Sequence, residues 1–214
     1  MSMLSEALSF LCPTACCVCG ALVAHGPFGH LCGRCHRALP RATHPVRAPR
    51  GVVSCWSLGA YEGPLGALVR LAKYGPSIAA IDLLGAQLAG CMAVMPSVDG
   101  VVGVPTLRGR RWRRGFCQGE RLARAVGMTQ GIPLLEGMVR CHGRPQVGRS
   151  ASERERLADD VFHLPQLDPG RRILLVDDVY TTGSTLSAAA RALRRQGASQ
   201  VWAVTVCFQD VKSA

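Results

Sequence analysis

Residues 172–185, RILLVDDVYTTGST, constrain the fold more tightly than any other stretch of the chain. Ile173 to Val176 is an unbroken aliphatic run, β-branched at both ends, as expected of a central parallel strand buried on both faces. Two acids follow. If the strand continues through them, Asp177 and Asp178 point to opposite faces and serve different tasks. The hydroxyl-rich YTTGST then leads into the helical pattern TLSAAARALRRQGA. Successive backbone N–H groups in such a loop, backed by a helix N-terminus, form an anion cradle suited to a monophosphate. The hydroxyls of Thr181, Thr182, Ser184 and Thr185, arranged around Gly183, add donors, while the acids accept hydrogen bonds from vicinal sugar hydroxyls. The composite ligand is a ribose 5-phosphate. A Walker loop needs a Lys before its Ser/Thr and a dinucleotide fingerprint needs three spaced glycines; this stretch has neither.

Upstream, strand and helix patterns alternate. Val52 to Tyr61 reads as a strand, and the next segment places Leu65, Leu68, Val69 and Ala72 on one helical face, with Pro64 near its start and Gly75-Pro76 at its end. Ile78 to Met95 reads as a second helix, Gly100 to Pro105 as a buried strand and Gly115 to Val126 as a third helix. This spacing predicts an α/β domain with a Rossmann-like parallel sheet. Residues 140–156 carry five Arg, two Glu and almost no apolar periodicity, and read as a long loop able to close over an anionic ligand.

The first fifty residues have a different logic. Cys16 and Cys19 form one Cys-x-x-Cys pair, Cys32 and Cys35 a second, with twelve residues between the pairs. Two such turns present four thiolates that close tetrahedrally on Zn²⁺, and a Gly- and Pro-rich segment too small for its own core gains stability from the metal. A closed four-sulfur shell leaves no position for substrate, so this zinc is structural. Cys17 should point away from the metal, and Cys12 reads as a small buried hydrophobe or as a substitute for Cys16. Pro40, Pro45 and Pro49 mark a linker, dividing the chain into a zinc module at 1–45 and an α/β domain at 46–214.

Charge narrows the choice of partners. The 214 residues carry a formal +11, with 25 basic and 14 acidic side chains. All but two of the basic residues, Lys73 and Lys212, are Arg. Guanidinium keeps its proton and grips phosphate with paired hydrogen bonds, although codon bias alone also raises Arg over Lys. Position discriminates between them: seven Arg and one Glu lie within residues 108–124, directly after a predicted strand end. In open α/β sheets ligands sit outside the carboxyl ends of strands, so Arg108 and Arg110 are candidates for a pyrophosphate. A single-stranded nucleic-acid groove with Trp112 and Phe116 as stacking platforms, or a solvated basic face, fits the same run.

Eleven cysteines, an odd number, argue against a fully paired disulfide framework. The first residues lack the basic and small-residue features of a secretory signal, and Ile78 to Met95 is interrupted by Asp82, Gln87 and two Gly, so no transmembrane segment is predicted. The expected location is cytoplasmic, with thiols reduced.

The stretch ILLVDDVYTTGST closely resembles the phosphoribosyl pyrophosphate motif of type I phosphoribosyltransferases. The wider chain resembles the ComF competence-protein family: the paired Cys-x-x-Cys, YEGPL at 61–65, KYG at 73–75, RRGF followed by Gln118, PQVG at 145–148, and the motif above. The resemblance implies that Asp177 and Asp178 meet the ribose hydroxyls and that residues 181–185 hold the 5-phosphate. It implies that Lys73 and the 108–114 loop face the pyrophosphate, commonly with Mg²⁺, and that residues 140–156 form the lid. It also implies single-stranded DNA and DNA-uptake proteins as partners. The chain departs from the family pattern at Cys117, within RGFCQ, and at Leu157, each where Asn is common. The alternative is a catalytically inactive, zinc-stabilised nucleic-acid-binding or adaptor protein.

Overall fold

The computed structural model of the chain describes residues 14–23, 31–75, 77–92, 96–107, 115–141 and 161–209. Near the N-terminus β1 (Thr14–Ala15) and β2 (Leu22–Val23) pair as an antiparallel hairpin, followed by the short α1 (Gly33–Arg37). Then come β3 (His44–Val46), β4 (Cys55–Ala60), α2 (Gly63–Tyr74), α3 (Ile78–Cys91), β5 (Gly100–Gly103) and α4 (Gln118–Gln130). The short β6 (Val139–Arg140) and β7 (Phe162–His163) precede β8 (Arg172–Tyr180), α5 (Ser184–Arg195) and β9 (Gln200–Phe208).

The main sheet has the order β3-β4-β9-β8-β5. Only the edge pair β3 and β4 is antiparallel; β4 with β9, β9 with β8, and β8 with β5 are parallel. Parallel strands require crossovers, and the helices supply them on both faces. Along β8 the side chains alternate between two cores: Leu174 and Val176 pack with α2, α3 and α4, while Ile173 and Leu175 pack with α5. All four are inaccessible to solvent, so β8 is buried on both faces, as its unbroken apolar run predicts. Each such side chain contributes about 1.5–3 kcal/mol through burial.

Local signals set the helix limits. Ser77 caps α3, its Oγ accepting from the Ala80 N–H at 3.2 Å, and Pro64 lies in the first turn of α2. The described part of α3 ends at Cys91, short of the predicted Met95. The third helix begins at Gln118 and not at Gly115, because Gly115 has φ +76° and Phe116 turns into the core before Cys117 takes the N-cap. Gly131, at φ 67°, ends it.

Leu31, Cys35 and Leu39 belong to the same buried cluster as Leu68, Leu84 and Leu122. The cysteine-rich segment therefore shares one buried core with α2, α3 and α4, while β3 joins the sheet edge. Among the described residues no helix is long and apolar enough to cross a membrane.

Candidate functional site

The acids stand where β8 emerges between its neighbours. Asp177 still pairs with Thr205 and Val179 with Cys207, so the strand runs through both acids and sends their side chains to opposite faces. Asp178 faces the α2 side, where its Oδ2 lies 3.3 Å from Lys73 Nζ. Asp177 Oδ1 accepts from the backbone N–H of Asp178 at 2.8 Å. Burial, and then the neighbouring Asp178 charge, hold the Asp177 carboxyl well above the ordinary carboxylate range; the Asp178 N–H, Lys73 and Arg140 only partly offset them.

Both acids open into a cleft of about 760 Å³, lined also by Tyr61, Lys73, Thr106, Gln118 and Arg140. That volume is within the usual range for small-molecule sites. Thr106 Oγ1 is buried beside the Cys117 thiol and makes no geometrically sound hydrogen bond among the described residues.

Thr181 and Thr185 line the cleft from the turn after β8. Gly183, at φ 76°, is the N-cap of α5, a backbone state that a side chain would strain. The exposed Thr182 Oγ1 lies 3.1 Å from Ser184 Oγ, and the Ser184 N–H points to Thr182 Oγ1 at 3.4 Å. Gly183, as N-cap, has no side chain to cap α5, so the first N–H groups of the helix face the turn.

Lys73 is held by a second element. Gln118, buried at the start of α4, donates from Nε2 to the Ala72 carbonyl at 2.8 Å. The start of α4 approaches β5 so closely that a Cβ on Gly119 would lie 2.1 Å from Val104 O, and one on Gly103 would lie 2.3 Å from the Gly119 carbonyl carbon. Two facing glycines therefore seat α4 against the sheet.

The predicted site residues thus divide into two sets. Lys73, Asp177, Asp178, Thr181 and Thr185 meet at one cleft, with Thr182, Gly183 and Ser184 in the adjoining turn. Arg108 and Arg110 lie outside the described residues, as do Cys12, Leu157 and most of the predicted lid. Cys117 does not reach the cleft: its thiol is buried, 3.9 Å from Val104 O. Arg140 and Thr106 are additional cleft residues. The two-residue β6 that carries Arg140 is too short to leave a periodicity in the sequence.

The four cysteines converge as the spacing predicts. The Sγ atoms of Cys16, Cys19, Cys32 and Cys35 lie within 4.8 Å of one another. Cys19 and Cys32 are 3.7 Å apart, near the roughly 3.8 Å edge of a tetrahedron with Zn–S bonds of about 2.3 Å. The β1–β2 hairpin presents the first pair: Gly20, at φ +71°, lets its N–H reach Cys16 O at 2.9 Å. The second pair sits on the first turn of α1, where Cys32 Sγ accepts from the Cys35 N–H. Burial raises the Cys16 thiol, but N–H groups of Cys19, Cys32 and Val18 outweigh it and bring the pKa down to about 6. By geometry and donor chemistry these four residues could hold a metal ion.

The phosphoribosyl transferase domain family matches residues 117–213, which contain the acid pair and the hydroxyl-rich turn. The chain is 32% identical to competence protein F of Haemophilus influenzae over 158 residues, 68% of this chain and 69% of that protein. It is 31% identical to DNA utilization protein YhgH of Salmonella typhi over 202 residues, 90% of this chain and 82% of that protein. Among solved structures, adenine phosphoribosyl transferase from Trypanosoma brucei aligns with a TM-score of 0.45 at 10% identity, covering 78% of this chain and 87% of that one. The mostly parallel sheet carries the type I phosphoribosyltransferase fold, and the chain belongs to the family of competence protein F and the YhgH proteins.

Proposed function

We propose that the protein binds phosphoribosyl pyrophosphate with Mg²⁺ in the cleft at the end of β8 and acts in DNA uptake by handling single-stranded DNA. The juxtaposition of the Asp177–Asp178 pair, the Thr181–Thr185 cradle and Lys73 carries the first part of this reading. The ribose hydroxyls donate to the two carboxylates, the 5-phosphate takes the N–H groups and hydroxyls of the turn, and Lys73 turns from Asp178 to the pyrophosphate. Mg²⁺ suits the carboxylate and phosphate oxygens and neutralises leaving-group charge when bound. In transfer, the bond between C1 and the pyrophosphate oxygen breaks, the acceptor bonds to C1 and sheds its proton, and pyrophosphate leaves. Stabilising the leaving charge is the main catalytic demand, and a positioned donor is worth about 3–4 kcal/mol there.

The names of the relatives support the second part, since one is a competence protein and the other a DNA utilization protein. In this reading the N-terminal segment up to residue 45 is a module held by structural Zn²⁺ on the four cysteines, and residues 46–214 are the phosphoribosyltransferase-like domain. The Arg108–Arg114 run supplies phosphate contacts.

Equilibrium dialysis with labelled phosphoribosyl pyrophosphate tests the first part: binding in Mg²⁺ and its loss in chelator are expected, and no binding in either contradicts it. Pyrophosphate release against candidate acceptors, single-stranded DNA included, separates a transferase from a binding protein. For the second part, replacing Arg110 and Arg111 with Ala should flatten the salt dependence of single-strand binding by roughly one to two units. An unchanged slope contradicts it for this surface.

A further inference from the structure

A second cleft, of about 990 Å³, lies on the other side of the turn after β8. Its walls are the segment from His44 to Arg50, the carboxyl ends of β4 and β9, and Tyr180 to Thr182. Its electrostatics are one-sided. No lining residue is acidic, and the chain has no Asp or Glu between Glu6 and Glu62. His44, Arg47 and Arg50 are exposed at the cleft, while Pro45, Tyr180 and Phe208 provide flat apolar surface.

Arginine forks suit phosphate oxygens, and planar aromatic and prolyl faces suit a planar base. We infer that this second cleft binds a nucleotide, with the phosphate on Arg47 and Arg50 and the base against Tyr180, Phe208 and Pro45. The same chemistry is offered by a free nucleoside monophosphate and by one unit of a single strand.

The two clefts share walls. Thr181 and Gln209 line both. Gly183, in the cradle, touches the segment that forms the second cleft: a Cβ there would lie 2.7 Å from Pro49 Cβ and 3.0 Å from the Tyr180 ring. A nucleotide that shifts Tyr180 or the 44–50 segment must therefore shift the cradle, and occupancy of one cleft changes affinity at the other by a reciprocal factor. The coupling, though not the site itself, rests on the reading of the first cleft given above.

The test is calorimetric titration of the full chain with AMP, inorganic phosphate and a short oligothymidylate, before and after Arg47→Ala. Arg47 is exposed and outside the first cleft, so the variant leaves phosphoribosyl pyrophosphate binding intact. Loss of a charge-assisted contact should weaken AMP about tenfold. An Arg47-dependent loss for the oligothymidylate alone supports the site with a strand as the source. The proposal is overturned if neither ligand responds to Arg47→Ala, or if inorganic phosphate binds as well as AMP. If AMP and phosphoribosyl pyrophosphate exclude each other and AMP affinity is indifferent to Arg47, AMP occupies the first cleft, and only an Arg47-dependent oligothymidylate titration keeps the second site. Failure of phosphoribosyl pyrophosphate to bind, with Arg47-dependent AMP binding retained, removes the coupling and leaves the second site standing.

Discussion

Gln118 and Lys73 are linked through one backbone bond: the Gln118 amide donates to the carbonyl of Ala72, at 2.8 Å, immediately before the lysine that pairs with Asp178. The start of α4 thereby fixes the end of α2, and through it the position of the ammonium group. Gln118→Met keeps the volume and removes the donor, leaving a buried carbonyl unsatisfied at about 1–3 kcal/mol. We expect a lower denaturant midpoint together with weaker phosphoribosyl pyrophosphate binding. Unchanged affinity would separate Gln118 from the placement of Lys73.

The contact between β5 and α4 makes a sharper stability prediction. A methyl group on Gly119 would meet Val104 O at 2.1 Å, and the obstacle is backbone, which cannot swing aside. Gly119→Ala should destabilise by about 2–3 kcal/mol, read as a lower urea midpoint with the slope unchanged. Gly20→Ala meets no atom within 4 Å but has to adopt φ +71°, so its cost should appear as backbone strain in the cysteine turn.

Much of this arrangement is legible in the residues themselves. The strand in residues 172–180, the acids at its end and the turn before α5 follow from a hydrophobic run, a charge pair and a Gly with hydroxyls, each a local signal. The cysteine cluster is legible for the same reason, since two short turns set its geometry. The central strand β9 is harder to recognise: QVWAVTVCF is buried throughout its middle and shows no alternation that separates it from a buried helix. The role of Gln118 is also hidden, because its partner lies 46 residues away. Arg140 reaches the cleft only through the pairing of β6 with β7, across a stretch with no pattern of its own.

The acid pair predicts a pH dependence. Asp177 has a native pKa raised above its unfolded value of about 4, so the folded state binds the extra proton between those limits. Its contribution to stability is full below about pH 4 and is lost as pH rises through the native pKa. The melting temperature of the ligand-free protein should therefore carry a component that falls with pH across this window, and Asp177→Asn should remove that component. Binding of a ligand with Mg²⁺ favours the ionised pair, so affinity should rise with pH over the same window. A flat affinity profile would show that Asp177 is not in contact with the ligand.

Metal removal should affect more than the first fifty residues. Cys35 and Leu31 share a core with Leu68 and Leu84, so loosening the cysteine cluster exposes one wall of that core. Stripping the metal, or Cys35→Ser, should lower the melting temperature by at least about 5 °C, given roughly 2–4 °C per kcal/mol at this size. Metal analysis should return one zinc per chain. A value far below one, with the same melting temperature, would contradict the assignment.

Binding at the acid pair is tested most directly by calorimetric titration of phosphoribosyl pyrophosphate with Mg²⁺ into the wild type and into the double variant Asp177→Asn, Asp178→Asn. The substitutions keep shape and remove the charges that receive the ribose hydroxyls and attract Lys73. One site per chain is expected in the wild type and at least a tenfold loss, about 1.4 kcal/mol or more, in the variant. Equal affinity in a correctly folded variant would contradict it.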